Sequence, residues 1–334
     1  MKLLTQFLKR SSLLRALVAL TVLYFFACFL HAEERQKVTA DKERIVKTVR
    51  FLSEENVPRT TLPENKKKTV EYLTQAITDA GLESRRGEFV IKEVLGDDEA
   101  ATELQRYTFV NIHALKKGKT DKRIVVGAHY DAVHVSPGAD DNASGVAALI
   151  ELAYFLKKTP ELNCDVELVF YDLEEDGLLG SRYHAKKLKS QNIDVVCMIN
   201  LDMIGYYSDR ENSQAYPSGM WKEIGGAKGD FIVMFGRPGD TQLVADVKKA
   251  FQEAVPLRIL ATPTPKALEA MVSRFSDHAS FWSEGYPALL FTDTADFRNK
   301  HYHLATDTWD TLDYDRLVQV PVGIYYVILA IDAL

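Results

Sequence analysis

The sequence predicts an α/β fold: a three-layer αβα arrangement around a mostly parallel mixed central sheet that turns antiparallel at one edge. Three observations carry this. Strand-like runs such as VELVFYD at 166–172 and VVCMINLD at 195–202 are apolar on both faces, as strands covered on both sides must be. They alternate with helical stretches, the rhythm of βα units. Two strand-like runs near the start follow one another with no helix between them, which suggests the antiparallel edge.

Taken in order, residues 40–54 and 65–81 place apolar side chains at three- and four-residue intervals, and the second stretch ends at Gly81 as a helix should. Strand character follows at 89–94 (FVIKEV), 107–115 (YTFVNIHAL) and 123–131 (RIVVGAHYD). The helix entered at Asn142-Ala143-Ser144-Gly145 has a nearly continuous apolar face, so it packs on the sheet. Then come strand 166–172, helix 180–190, strands 195–202 and 231–236, helix 241–254, strand 287–293 and a last helix within 314–333. The longest irregular stretch, 206–229, is polar and contains glycine; a loop of that length in a compact domain is functional or mobile. There is no internal repeat, and residues 33–334 read as one domain.

A composition of 46% hydrophobic and 26% charged residues describes a folded globular chain, and the net charge of -6 argues against nucleic acid as a partner. Three cysteines without metal-type spacing exclude a zinc ribbon or a disulfide scaffold, and Cys164 and Cys197 sit in apolar runs that mark them as core residues. Residues 1–32 contain Lys2, Lys9, Arg10 and Arg15, no acid, and an uncharged run from Ala16 to Ala32. That pattern is a secretory signal, with an uncleaved membrane anchor as the alternative, so the protein is expected to be exported and to touch a membrane only through this segment.

The apolar strands end in acids and histidines. RIVVGA runs into His129-Tyr130-Asp131, VELVFYD into Glu174-Glu175-Asp176, VVCMINL into Asp202, and PALLF leads through a loop to His301-Tyr302-His303; Asp140-Asp141 stands in the turn before a helix. In such sheets the ligand site lies beyond the carboxyl ends of the strands. Carboxylates converging there repel one another unless a cation is present. A divalent metal pair resolves this, and imidazole with carboxylate suits zinc, with cobalt or manganese as the lesser options.

The motifs AHYD (128–131), PGADDNASG (137–145), DLEEDGLLGS (172–181), NLDMIG (200–205), SDHASFWSEGYPAL (276–289) and YHLATDTWDTLD (302–313) resemble the M28 zinc peptidases, co-catalytic aminopeptidases with a hydrolase-like α/β fold. The resemblance implies that His129 and Asp202 end one metal site and Glu175 and His303 the other, with Asp141 bridging two zinc ions. Asp141 is preferred to Asp140 because the family's bridging aspartate stands four residues before the turn glycine, here Gly145; His303 is preferred to His301 because the family histidine stands four residues before Asp307-Thr308. Glu174 is then the general base, Tyr302 a donor to the developing oxyanion, and Asp131 the carboxylate that fixes the His129 tautomer.

The implied activity is hydrolysis of the N-terminal peptide bond of peptides. Glutaminyl-peptide cyclotransferases, similar in fold, are the alternative, followed by an inactive binding protein of the same fold. Ser276-Asp277-His278 is read as a structural turn rather than part of a nucleophilic triad, since no G-x-S-x-G elbow exists. Mass spectrometry of a membrane-fractionated sample is expected to find a mature chain lacking residues 1–32; their retention would overturn the cleaved signal.

Overall fold

The computed structural model describes residues 37–59, 63–95, 108–217 and 219–334. The expected signal, 1–32 with Cys28, lies outside the described residues, as does Tyr107. From Ala40 to Leu334 the chain forms one compact unit.

Eight strands make one sheet: β1 (Ser84–Val90), β2 (Thr108–Lys116), β3 (Arg123–His129), β4 (Asp165–Tyr171), β5 (Val195–Leu201), β6 (Phe231–Gly236), β7 (Arg258–Pro263) and β8 (Ala288–Thr292), in the order β1-β2-β4-β3-β5-β8-β6-β7. The middle run β4-β3-β5-β8 is parallel. At the expected edge, β1 and β2 are antiparallel to each other, and β2 is antiparallel to β4. A second antiparallel junction joins β8 to β6, whose partner β7 runs parallel to it.

The helices are α1 (Lys42–Arg50), α2 (Pro63–Asp79), α3 (Ile91–Leu95), α4 (Gly145–Lys158), α5 (Leu179–Ser190), α6 (Gly219–Gly225), α7 (Thr241–Ala254), α8 (Lys266–Val272), α9 (His278–Ser283), α10 (Tyr314–Leu317) and α11 (Gln319–Asp332). α1 begins at Asp41, whose side chain accepts the Arg44 N–H at 3.1 Å. α2 closes where the glycine signal lies: Leu82 N–H bonds to Ile77 O at 3.2 Å and Gly81 N–H to Thr78 O at 2.9 Å, a Schellman pair with Gly81 at φ 84. On one side of the sheet α11 packs on α7 and α4, and α1 on α4. On the other, α5 and α9 cover Val125, Val169, Tyr171 and Met198. α10 and α11 together are long and apolar enough to cross a membrane, yet half of that length is buried and α11 packs against helices and β3. Cys164 and Cys197 are buried free thiols.

Two local expectations change. The run 89–94 is a strand only to Val90, after which α3 begins and Glu93 reaches back to accept the Val90 N–H at 2.9 Å. Phe89, Ile91 and Val94 are all buried in one cluster with Phe109 and Leu179, so their apolar spacing satisfied a strand template while serving a strand-to-helix corner. The stretch 206–229 contains α6 and is closed by a bridge between Ser208 and Gly229. β7, α8 and α9 arise from residues 255–286, where the sequence carries no strong period; β7 lies at the sheet edge and most of it is only half-buried.

One buried charge ties the first helix to the core. Glu151 of α4 is fully enclosed and accepts from Arg44 Nε, Arg44 Nη2 at 3.1 Å and Asp41 N–H at 2.9 Å. Removing the arginine leaves a buried charge without its partner, so Arg44→Met is expected to cost about 3–5 kcal/mol in urea unfolding, whereas Arg44→Met combined with Glu151→Leu recovers most of the loss.

Candidate metal centre

Because β4, β3, β5 and β8 are adjacent and parallel, their carboxyl ends open on one crevice. β3 ends on His129, β5 hands over to Asp202, and β4 runs into the turn bearing Glu174 and Glu175. The turn before α4 brings Asp141, and the chain beyond β8 brings His303.

These side chains converge on Asp141. Its Oδ1 lies 3.3 Å from His129 Nε2, and its Oδ2 lies 3.1 Å from His303 Nε2. His129 Nε2 is also 3.3 Å from Asp202 Oδ1, and His303 Nε2 is 3.3 Å from Glu175 Oε2. His129 with Asp141 and Asp202, and His303 with Asp141 and Glu175, each present three ligand atoms within 4.8 Å of one another; His129, Glu174 and Glu175 form a third such set. Asp140 turns the other way: its oxygens accept Gly205 N–H at 2.8 Å and Asn299 Nδ2 at 2.7 Å. His301, half-buried, pairs with Thr306 Oγ1 at 2.9 Å instead of joining the group.

The backbone that holds them is knitted across segments. Asn142 donates to Leu201 O at 2.9 Å and accepts Gly145 N–H at 3.1 Å, and Ser144 Oγ accepts Ile204 N–H at 3.1 Å. A Cβ on Gly145 would lie 2.7 Å from Leu201 O, so this crossing requires glycine. Asp307 accepts the N–H groups of Asp140 and Asp141 at 3.0 and 3.2 Å. Asp131 does two things. Its oxygens take the N–H groups of Glu174 and Glu175, each at 3.1 Å, while His129 Nδ1 lies 3.2 Å from its carbonyl and 3.4 Å from its Oδ1. Leu173, Met203 and His303 have φ of 55, 51 and 58, left-handed values that cost non-glycine residues of order 1–3 kcal/mol each and that cluster at functional turns.

The electrostatics show what the donor set lacks. Burial pushes Glu175 up to about 6 and raises Glu174 well above the carboxylate range, with Asp202 adding to the latter. Hydrogen bonds to Asp141 and Glu175 push His303 up to about 10. Burial opposes protonation of His129, but the charges of Glu174 and Asp202 and its contacts with Asp131 and Asp141 raise it well above 6.5. Protons on the histidines thus offset acids at the positions a cation would occupy. Glu175 Oε1 is buried with no hydrogen-bond partner, an orphaned acceptor of the kind a cation would satisfy. Imidazole and carboxylate without thiolate fit zinc.

Other expected residues fall around this centre. Tyr302 stacks on His303 with centroids 3.8 Å apart, and its hydroxyl is held protonated by burial and by the acids Asp141, Asp202, Glu175 and Glu174. Ser276 accepts from Asn200 at 2.7 Å and His278 bonds to Val272 O at 2.9 Å, so neither forms a relay through Asp277. Asp277 itself is fully buried, with neither carboxylate oxygen paired, and burial pushes it up to about 7. In the sequence Asp307 is only a landmark and Asp293 and Arg59 carry no signal; each acts on segments distant in the chain, Asp307 on the Asp140 N–H, Asp293 on the Tyr206 N–H and Arg59 on the Tyr130 and Asp141 carbonyls. A further group, His113, Glu167 and His184, is balanced by Arg123, which donates to Glu167 Oε2 at 3.0 Å.

The sequence model of peptidase family M28 matches residues 111–328. Among curated relatives, the uncharacterized protein YfbL of Escherichia coli (strain K12) is 37% identical over 292 residues, spanning 80% of this chain and 88% of that one. Leucine aminopeptidase 1 of Blastomyces gilchristii is 28% identical over 222 residues, 63% of this chain, which spans about half of it (52%). Among solved structures, a zinc aminopeptidase from Bacillus subtilis superposes with TM-score 0.67 at 17% identity, covering 88% of this chain and 95% of that one. A glutaminyl cyclase from Fimbriiglobus ruber superposes with TM-score 0.63 at 22% identity, covering 89% and 97%. At those identities the structures speak for the fold alone.

Metal ligation requires neutral imidazole, so if His303 and His129 are ligands their protons would leave as zinc enters. Calorimetric titration of zinc into metal-free protein at pH 7, in buffers of different ionisation enthalpy, is expected to record proton release, and affinity is expected to rise with pH across 6–8. A titration without proton release would contradict the proximity of these histidines to the metal.

Proposed function

The chain belongs to peptidase family M28, and on that footing we propose that it is a di-zinc exopeptidase that removes N-terminal residues from peptides. The observation that carries the reading is the two-sided carboxylate of Asp141, with His129 against one oxygen and His303 against the other. His129, Asp141 and Asp202 would hold one ion, and Asp141, Glu175 and His303 the other. Cobalt or manganese would satisfy the same ligands. When bound, the ions supply Lewis acidity toward the scissile carbonyl and lower the pKa of the attacking water.

The remaining steps belong to the chain. Glu174, buried beside this group and given no ligand role, takes a proton from the attacking water and delivers it to the leaving amine as the C–N bond breaks. Its raised proton affinity suits both halves of that transfer. Tyr302, held protonated, donates to the carbonyl oxygen as it gains charge. Asp131 fixes the His129 ring and the backbone of the glutamate turn together.

Two features support an N-terminal substrate. Arg298, one of two arginines near the motifs (with Arg274) that could have suited a peptide carboxylate, is buried, donates to Gln214 Oε1 at 2.7 Å and to Tyr206 O at 3.2 Å, and stacks 4.6 Å over Phe231. The acids of the crevice favour an ammonium group instead. An apolar cavity of about 270 Å³ is lined by Phe231, Val233, Leu260, Phe275, Leu290 and Thr292; on β8 these last two flank Phe291, whose carbonyl accepts the Asp202 N–H at 3.1 Å. It suits an uncharged side chain such as leucine. The basic and then apolar character of residues 1–32 supports export, so the substrates are extracytoplasmic peptides.

Glu174→Gln is expected to lower kcat by about 10²–10⁴-fold while metal content by elemental analysis stays at two per chain. Retained turnover would refute the base assignment. Against a panel of amino-acid anilides and blocked peptides with and without zinc, leucine and methionine anilides should be cleaved and N-blocked peptides spared. Cyclisation of N-terminal glutamine without anilide hydrolysis would favour the cyclotransferase reading, which the fold equally permits.

A further inference from the structure

Between the first two helices one arginine is enclosed: Arg59 is 1% exposed. It stands outside the residues matched by the family. Its donors meet five backbone carbonyls. Nε donates to Tyr130 O at 2.7 Å, Nη1 to Pro137 O and, at 3.4 Å, to Leu52 O, and Nη2 to Asp131 O and Asp141 O, both at 3.1 Å. Four of these carbonyls lie in the two segments that present His129 and Asp141. The guanidinium binds their backbone and leaves the carboxylate oxygens to other partners. The fit is close: a Cβ on Gly138 would come within 2.6 Å of both terminal nitrogens, and Gly138 itself has φ 67.

We propose that Arg59 is a positioning residue for the metal centre, clamping the 130–131 and 137–141 backbone so that His129 and Asp141 are spaced for a shared ion. The proposal rests on the metal reading above. Its physical basis is the rigid planar fork, whose donors diverge at fixed angles toward carbonyls of two chain segments; a lysine ammonium carries three donors on one nitrogen and cannot span them. Charge and geometry make opposite claims here. Arg59 places a buried positive charge near Asp141, Asp131, Asp307 and Glu175, so on charge alone its removal would tighten cation binding. If the clamp matters, removal weakens it.

The test is zinc affinity, measured by chelator competition on metal-free protein, for the wild type, Arg59→Lys and Arg59→Met, with the metal-free thermal midpoint of each. Both variants are expected to bind zinc about 10–100-fold more weakly. Their kcat is expected to fall with KM little changed. A folded variant that binds zinc as tightly as the wild type, or more tightly, overturns the proposal whatever its thermal midpoint. If neither variant folds, Arg59→Ala refolded with methylguanidinium is expected to show zinc affinity that rises with the additive, and affinity independent of it overturns the proposal. Failure of the wild type to bind zinc would instead refute the metal reading itself.

Discussion

The structure is organised around a concentration of buried acids that have to be balanced. Asp131, Asp140, Asp141, Glu174, Asp202, Asp277, Asp293 and Asp307 are all buried. Water cannot screen them, so each needs a proton, a donor or a cation. The chain supplies donors and protons of its own. Asp131 and Asp307 take backbone N–H groups of the segments beside them. Burial raises the proton affinity of both Asp140 and Asp293, and each also accepts backbone N–H groups, Gly205 on Asp140 and Tyr206 and Ala295 on Asp293. The side-chain oxygens of Asp141 have histidines against them, and that residual demand is what the proposed divalent pair would answer.

This accounting explains why the surrounding backbone is so unusual. Carboxylates that accept backbone N–H groups hold these turns, and the left-handed residues Leu173, Met203 and His303 lie in or beside them. The parallel strands contribute rigidity. β3 is flanked by β4 and β5 and covered on both faces, so His129 stands on a strand end with little freedom. The site is thus a set of turns braced against one sheet edge, with Arg59 entering from a segment that precedes the sheet.

Much of this was legible in the residues. The strands of the sheet centre are apolar on both faces and bounded by polar residues, so their existence and mutual parallelism follow from pattern. Their habit of ending in acids located the crevice. Resemblance to the family's motifs separated Asp141 from Asp140 and His303 from His301, and the geometry separates them the same way, with Asp140 bound to Gly205 and Asn299 and His301 bound to Thr306. Where the pattern was ambiguous it failed. Phe89, Ile91 and Val94 fit a strand as well as a corner, and only their common burial with Phe109 and Leu179 decides. β7 is an edge strand, mostly half-buried, and sends a weak periodic signal.

By itself, then, the sequence determined the layered α/β class, the alternation of its central elements and the chemical types gathered at the strand ends, because those depend on local hydrophobic periodicity and on residue identity. The tertiary structure alone decided which acids face one another and which are consumed by the backbone, that β6 and β7 reverse direction against β8, and that Arg59 reaches carbonyls 71 to 82 residues away. Those outcomes depend on contacts between segments far apart in the chain. A buried charge selects its partner by distance and geometry, and neither is written in the order of the residues.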